Sequence, residues 1–160
     1  MHEVSVNAIV EDRRSQPHQL VEVLQDVQEQ AGYISAEAMK IVAQELGVPL
    51  IEVYRVANFY KAFSLKPRGK NVLTVCTGTA CHVRGAGLLL DQVQGQLKIN
   101  PGDTTPYGLF TLERVNCLGA CAQGPIVVEN QEYHHHVNAG KLRKRIKDIR
   151  RRQQKENEDV

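Results

Sequence analysis

Val72-Leu73-Thr74-Val75-Cys76-Thr77-Gly78-Thr79-Ala80-Cys81-His82-Val83-Arg84-Gly85 is the stretch on which the reading of this chain turns. It begins with a short run of β-branched and apolar residues, Val72–Val75, readable as a buried strand. A cysteine follows at once, then small residues, then a second cysteine. The pattern returns downstream. Phe110-Thr111-Leu112-Glu113-Arg114-Val115 alternates like a strand, and Cys117-Leu118-Gly119-Ala120-Cys121 comes directly after it. These are the chain's 4 cysteines, paired as Cys-x4-Cys and Cys-x3-Cys. Each pair follows a strand candidate, so both are expected on loops at one end of a sheet. Four thiolates converging there can hold a metal centre.

Spacing leaves more than one centre open. Structural zinc favours two close pairs, usually Cys-x2–4-Cys, and these pairs lie at that range's upper edge. The intervening residues lean another way. Thr77, Gly78, Thr79 and Ala80 in one loop, and Gly119 and Ala120 in the other, let backbone N–H groups approach bridging sulfides. An iron–sulfur cluster carries net negative charge, and such donors tune its potential. Cys-x4-Cys also occurs among [2Fe–2S] proteins, with a different second pair. A thioredoxin-type nucleophile prefers Cys-x-x-Cys, which is absent.

Working outward, Gly85–Leu97 reads as a helix carrying Leu88, Leu89, Val93 and Leu97. Ile126–Val128 and Glu132–Val137 read as a strand pair across Glu129-Asn130-Gln131, and Asn138 as the cap of a last helix through Arg152. A β-α-β-β-β-α order implies a sheet with helices packed on it. Ser64–Lys70 is a linker by composition. Before it, Ser15 is a candidate N-cap, with Pro17 in the first turn. Leu20, Leu24, Val27 and Ala31 form a helical face that Gly32 closes. Ser35 opens a second helix with Ile41, Val42 and Leu46 inward, closed by Gly47. Leu50–Phe63 is the third, with Val53, Val56, Ala57 and Tyr60 on one face. The fold class is therefore α+β. Residues 1–68 are a small N-terminal helical bundle, 69–152 an α/β domain bearing the cysteines, and 153–160 a polar, frayed tail.

Composition sets the outer bounds. With 160 residues, 42% hydrophobic and 24% charged, the chain is neither disordered nor collagen-like. Its apolar runs fall far short of the roughly 20 residues that span a bilayer, and Met1–Arg14 lacks a secretory pattern. A cytoplasmic setting is expected, without direct membrane insertion and with thiols kept reduced. The net charge of +2 is unevenly placed. Residues 1–60 carry −5, residues 61–160 carry +7, and Lys141–Arg152 holds eight basic side chains against one acidic.

Several features have a bland reading beside a sharp one. Ala43–Arg55 resembles a helix-turn-helix with Gly47 at the turn, which raises a cluster- or metal-sensing DNA-binding protein as an alternative. Its charge opposes this, because DNA binding draws on several Lys or Arg contacts to phosphate. Helix packing explains the segment better, and no nucleic-acid partner is expected. Lys141–Arg152 reads first as a solvated face of a packed helix, with docking to an acidic surface as the sharper option. In a strand His134 and His136 share a face, but two histidines without a third ligand make a poor metal site. His82, next to Cys81, is a candidate to hydrogen-bond a sulfur or couple a proton to reduction. Arg84 is a candidate to screen cluster charge or touch a partner.

Together, Cys76–Gly85 and Cys117–Cys121 resemble the signature loops of the thioredoxin-like [2Fe–2S] subunits of NADH:quinone oxidoreductase (respiratory complex I), which recur in NAD-linked hydrogenases and formate dehydrogenases. Gly32-Tyr33-Ile34, Leu46-Gly47-Val48-Pro49, Phe63–Lys70 and Gly108–Glu113 extend the likeness to roughly Leu20–Lys141. The resemblance implies a helical bundle followed by a thioredoxin-like ferredoxin domain. It implies one [2Fe–2S] cluster with Cys76, Cys81, Cys117 and Cys121 as iron ligands, and no catalytic residue on this chain. It further implies an electron-transfer subunit beside a flavoprotein NADH-binding subunit and further Fe–S subunits, FMN and NAD lying on that flavoprotein. Asn58, Ala122-Gln123-Gly124 and His134–His136 depart from the family pattern without removing a ligand. A zinc-structured interaction module remains the other alternative.

Overall fold

In a computed structural model, residues 6–11 and 15–158 are described. The chain divides into two compact units, Met1–Arg68 and Gly69–Val160.

The first unit contains α1 (Val6–Val10), α2 (Leu20–Ala31), α3 (Ala36–Leu46) and α4 (Leu50–Phe59). Its core is made by Val10, Val23, Leu24, Val27, Ile34, Val42, Leu46 and Val53. The i, i+4, i+7 spacing of Leu20, Leu24 and Val27 puts them on one inward face of α2, joined by Val23. Ala31, expected on that face, is exposed. Ser35 caps α3 as its sequence predicts: its hydroxyl accepts from the Ala38 N–H at 3.0 Å. Gly47, at φ 67°, closes α3 in the left-handed conformation that glycine adopts without Cβ strain.

Other expectations fail in this unit. Ser15 does not cap α2. It has φ 57°, where an N-cap needs extended backbone, and its N–H donates to Glu45 O instead. Pro17–Gln19 forms a 3₁₀ turn, and α2 starts only at Leu20. The third helix stops at Phe59, four residues before the expected Phe63, because Tyr60 is extended. The Gln28 side chain takes the place of helical bonding beyond it, donating to Ala62 O at 2.7 Å and accepting from Ser64 N at 2.6 Å. That turn carries Phe63 and Leu65 back onto the core. Finally, α1 has no clear signal in the sequence; Val6 and Val10 are too few to announce a helix, yet both are buried.

The second unit is a four-stranded mixed sheet ordered β2-β1-β3-β4 with three helices. Its elements are β1 (Asn71–Cys76), α5 (Thr79–Val83), α6 (Ala86–Leu97), β2 (Phe110–Val115), β3 (Val127–Glu129), β4 (Glu132–His134) and α7 (Ala139–Glu158). Strand β1 runs parallel to β2 and antiparallel to β3. Parallel neighbours require a crossover, and α6 supplies it. Leu73, Val75, Phe110 and Leu112 pack with Leu89, Val93 and Leu97 of α6 and with Leu142, Ile146 and Ile149 of α7. By strand alternation Cys76 points away from the face that carries Leu73 and Val75.

Asn138 caps α7 through its side-chain oxygen, which accepts from Lys141 N at 2.9 Å. The helix passes the expected end at Arg152 and reaches Glu158, since Gln153, Gln154 and Lys155 are good helix formers. Only Asp159 and Val160 of the expected tail lie outside the described residues. Strand β4 is shorter than the expected Glu132–Val137: His136, at φ 47°, breaks the extended chain, and Val137 N bonds to Pro125 O instead.

Candidate metal centre

The sheet brings the two cysteine loops together. Cys76 is the last residue of β1 and pairs in register with Val115, the last of β2. Because the strands are parallel neighbours, the segments that follow leave from the same end. Thr77 prolongs the pairing, with its backbone N–H and its hydroxyl both donating to Val115 O, at 2.9 and 3.1 Å. One step on, Gly78 touches the other loop. A Cβ there would lie 2.4 Å from Asn116 O and 3.2 Å from the Cys117 Cβ, so only glycine permits this approach.

Cys81 sits on α5, buried, with Cys76 also buried; Cys117 and Cys121 are exposed. The thiols meet as two pairs. Cys117 Sγ and Cys121 Sγ are 3.9 Å apart. The Cys81 thiol is held above the usual range first by burial, then by its hydrogen bond to Cys76, with the charges of Cys76 and Cys121 adding to it. Cys121 is raised as well, chiefly by its hydrogen bond to Cys117 and the charge there. A bound cation relieves the repulsion that four neighbouring thiolates would otherwise feel. Gly119, at φ 79°, turns its N–H onto Cys117 Sγ at 3.3 Å. This is one of the backbone-to-sulfur donors that the small residues imply.

The donor set fits thiolate-bound metal. Two thiolates on one tetrahedral metal, with metal–sulfur bonds of about 2.3 Å, stand about 3.8 Å apart, close to the Cys117–Cys121 separation.

Arg84, just past α5 and a sequence candidate to screen cluster charge or touch a partner, also reaches the second loop. Its Nη1 donates to the carbonyls of Cys121 at 2.7 Å, Ala122 at 3.1 Å and Gly124 at 3.5 Å. Gly124, joined to Pro125 by a cis peptide, leaves space beside Cys81; a Cβ there would lie 2.9 Å from Cys81 Sγ. The only signal in the sequence was a long forked donor three residues after a ligand candidate.

The other candidates stay apart from the sulfurs. The His82 ring stands beside Gly87, and among the described residues no hydrogen bond joins it to a sulfur. His134 lies 3.9 Å from Glu129 and 3.8 Å from Glu132, while His135 stacks on Tyr133. With the strand ending at His134, the histidines share no metal-binding face. The outer face of α4 exposes Leu50, Ile51, Tyr54 and Phe59, and its one basic residue, Arg55, pairs with Glu52 at 2.8 Å.

A family model described as "Thioredoxin-like [2Fe-2S] ferredoxin" matches residues 6–150. The NADP-reducing hydrogenase subunit HndA of Solidesulfovibrio fructosivorans is 41% identical over 125 residues, covering 78% of this chain and 73% of that protein. An NADH-quinone oxidoreductase subunit of Rhizobium meliloti (strain 1021) is 37% identical over 131 residues, covering 82% of this chain and 76% of that protein. Among solved structures, an NAD+-reducing [NiFe]-hydrogenase in the air-oxidized state superposes with a TM-score of 0.73 at 19% identity. That match covers 84% of this chain but only 23% of the hydrogenase chain, and at this identity it speaks to fold alone.

Proposed function

Because the chain belongs to the thioredoxin-like [2Fe–2S] ferredoxin family, we propose that it is the [2Fe–2S] electron-transfer subunit of a multisubunit NAD(P)-linked oxidoreductase. The relatives named as hydrogenase and NADH-quinone oxidoreductase subunits support this class of complex. Cys76, Cys81, Cys117 and Cys121 would be the iron ligands in this reading. The observation that carries it is the convergence of two thiol pairs at one end of the parallel β1–β2 pair, one of them 3.9 Å apart.

When bound, the cluster accepts and gives up single electrons. The chain's own residues do the rest. Burial of Cys76 and Cys81 shields one side from water, and exposure of Cys117 and Cys121 leaves the other open to a partner. The Gly119 N–H draws electron density from Cys117. No general base or nucleophile is needed here. The partner is a flavoprotein carrying FMN and the nicotinamide site, with further Fe–S subunits beyond it. The setting is cytoplasmic. No helix among the described residues is long and apolar enough to cross a membrane, and any attachment to one runs through partners.

The test is an EPR spectrum of the anaerobically purified, dithionite-reduced chain, with iron and sulfide measured on the same sample. A rhombic S = 1/2 signal with about two irons and two sulfides per chain is expected, and Cys117→Ala should lose it. Stoichiometric zinc with no signal after attempted reconstitution sinks the reading and favours a zinc-structured module.

A further inference from the structure

We propose that Arg84 is a positioning residue for the metal centre: its guanidinium straps the second cysteine loop to the first and fixes a positive charge beside the sulfurs. This rests on the reading that the four cysteines hold the cluster.

The strap is a matter of which segments the bonds join. Arg84 is the C-cap of α5, the short helix that also carries Cys81. All three of its acceptors, Cys121 O, Ala122 O and Gly124 O, belong to the second loop, across 37 to 40 residues of chain. Opening that loop away from α5 breaks every one of these charge-assisted bonds together, each worth more than a neutral one. A loop so held keeps Cys121 presented to the metal.

The charge is a matter of what surrounds it. The acceptors are neutral carbonyls, and among the described residues no carboxylate lies within ion-pair distance of Arg84. It is also near. The position a Gly124 Cβ would take is 2.9 Å from Cys81 Sγ and 3.5 Å from Arg84 Nη1, and the nitrogen and the sulfur are no further apart than those two lengths laid end to end. A cation at that range favours the more negative, reduced form of the cluster and raises its potential. Exposure of Arg84 damps the effect without changing its sign.

Two substitutions in the full chain, purified anaerobically, separate these roles. Arg84→Gln removes the charge and most of the strap; Arg84→Lys keeps the charge on a shorter side chain without the planar fork. Iron release to a chelator and the midpoint potential from an EPR-monitored redox titration are the readouts. Arg84→Gln is expected to release iron on the order of ten-fold faster than wild type and to titrate at a lower potential. Arg84→Lys is expected to release iron faster but to titrate near the wild-type potential. If Arg84→Gln takes up no cluster, Arg84→Lys decides by the same pair of readouts, and wild-type behaviour in both overturns the proposal. Faster release with an unchanged potential in Arg84→Gln overturns the electrostatic half, and wild-type values of both overturn the whole. A wild-type chain without iron and sulfide fails at the cysteine reading itself and takes this inference with it. Wild-type protein with an intact cluster beside indifferent variants removes this inference alone.

Discussion

At the scale of single residues, the proposed centre draws on two glycines as well as on its four candidate cysteines. The small residues between the cysteines suggest donors to sulfur, and the Gly119 N–H is one. Gly78 has a further role that its own loop does not reveal, because the constraint comes from Asn116 on the other loop. A methyl group there meets a backbone carbonyl, which cannot swing aside as the tip of a long side chain can. Gly78→Ala is therefore expected to push the loops apart and weaken cluster retention by about 10–100-fold, the range seen when groups supporting metal ligands are altered. Far-UV circular dichroism should stay native while iron per chain falls. Iron content equal to wild type would show that the loops tolerate the methyl group. The cysteines themselves were legible from spacing; the Arg84 contacts were not, because they depend on where a segment some 40 residues away comes to lie.

Among the elements, those whose start and stop signals are local matched their sequences best. Helix α3 has Ser35 before it and Gly47 after it, and both act as their chemistry dictates. Ser35→Ala is expected to cost about 1 kcal/mol of stability, read as a lower midpoint in chemical denaturation with an unaltered cluster signal. An unchanged midpoint would mean that water replaces the hydroxyl at no cost. Helix α4 and strand β4 end early for reasons outside themselves. The Gln28 side chain on α2 takes up the backbone groups of Ala62 and Ser64, and Pro125 O receives the N–H of Val137. Each such bond contributes about 0.5–1.5 kcal/mol, comparable to the propensity difference that would extend a helix by a residue or two. Ser15 is no N-cap because its φ of 57° is not the extended backbone that role needs, and its N–H donates to Glu45 O instead.

For the whole molecule, the division at Arg68–Gly69 separates two cores, and every proposed ligand lies in the second. We expect residues 69–160, expressed alone, to fold and to take up the cluster, giving the same EPR signal as the full chain. A fragment that stays unfolded, or binds no iron after reconstitution, would show that the first unit is required for the site. What the amino-acid sequence determined by itself was whatever is carried by near neighbours along the chain. That covers the helical periodicities of both units, the Ser35 and Asn138 caps, the strand runs and the cysteine spacing with its small-residue loops. Only the tertiary structure decided the parallel register that sets Cys76 beside Val115, the contact of Gly78 with the second loop, the Arg84 bonds, and the points at which α4 and β4 stop. The physical reason is range. Propensity and capping act within a turn or two of chain, whereas most of these features join groups 34 to 40 residues apart, and even β4 stops on a bond to an acceptor 12 residues back.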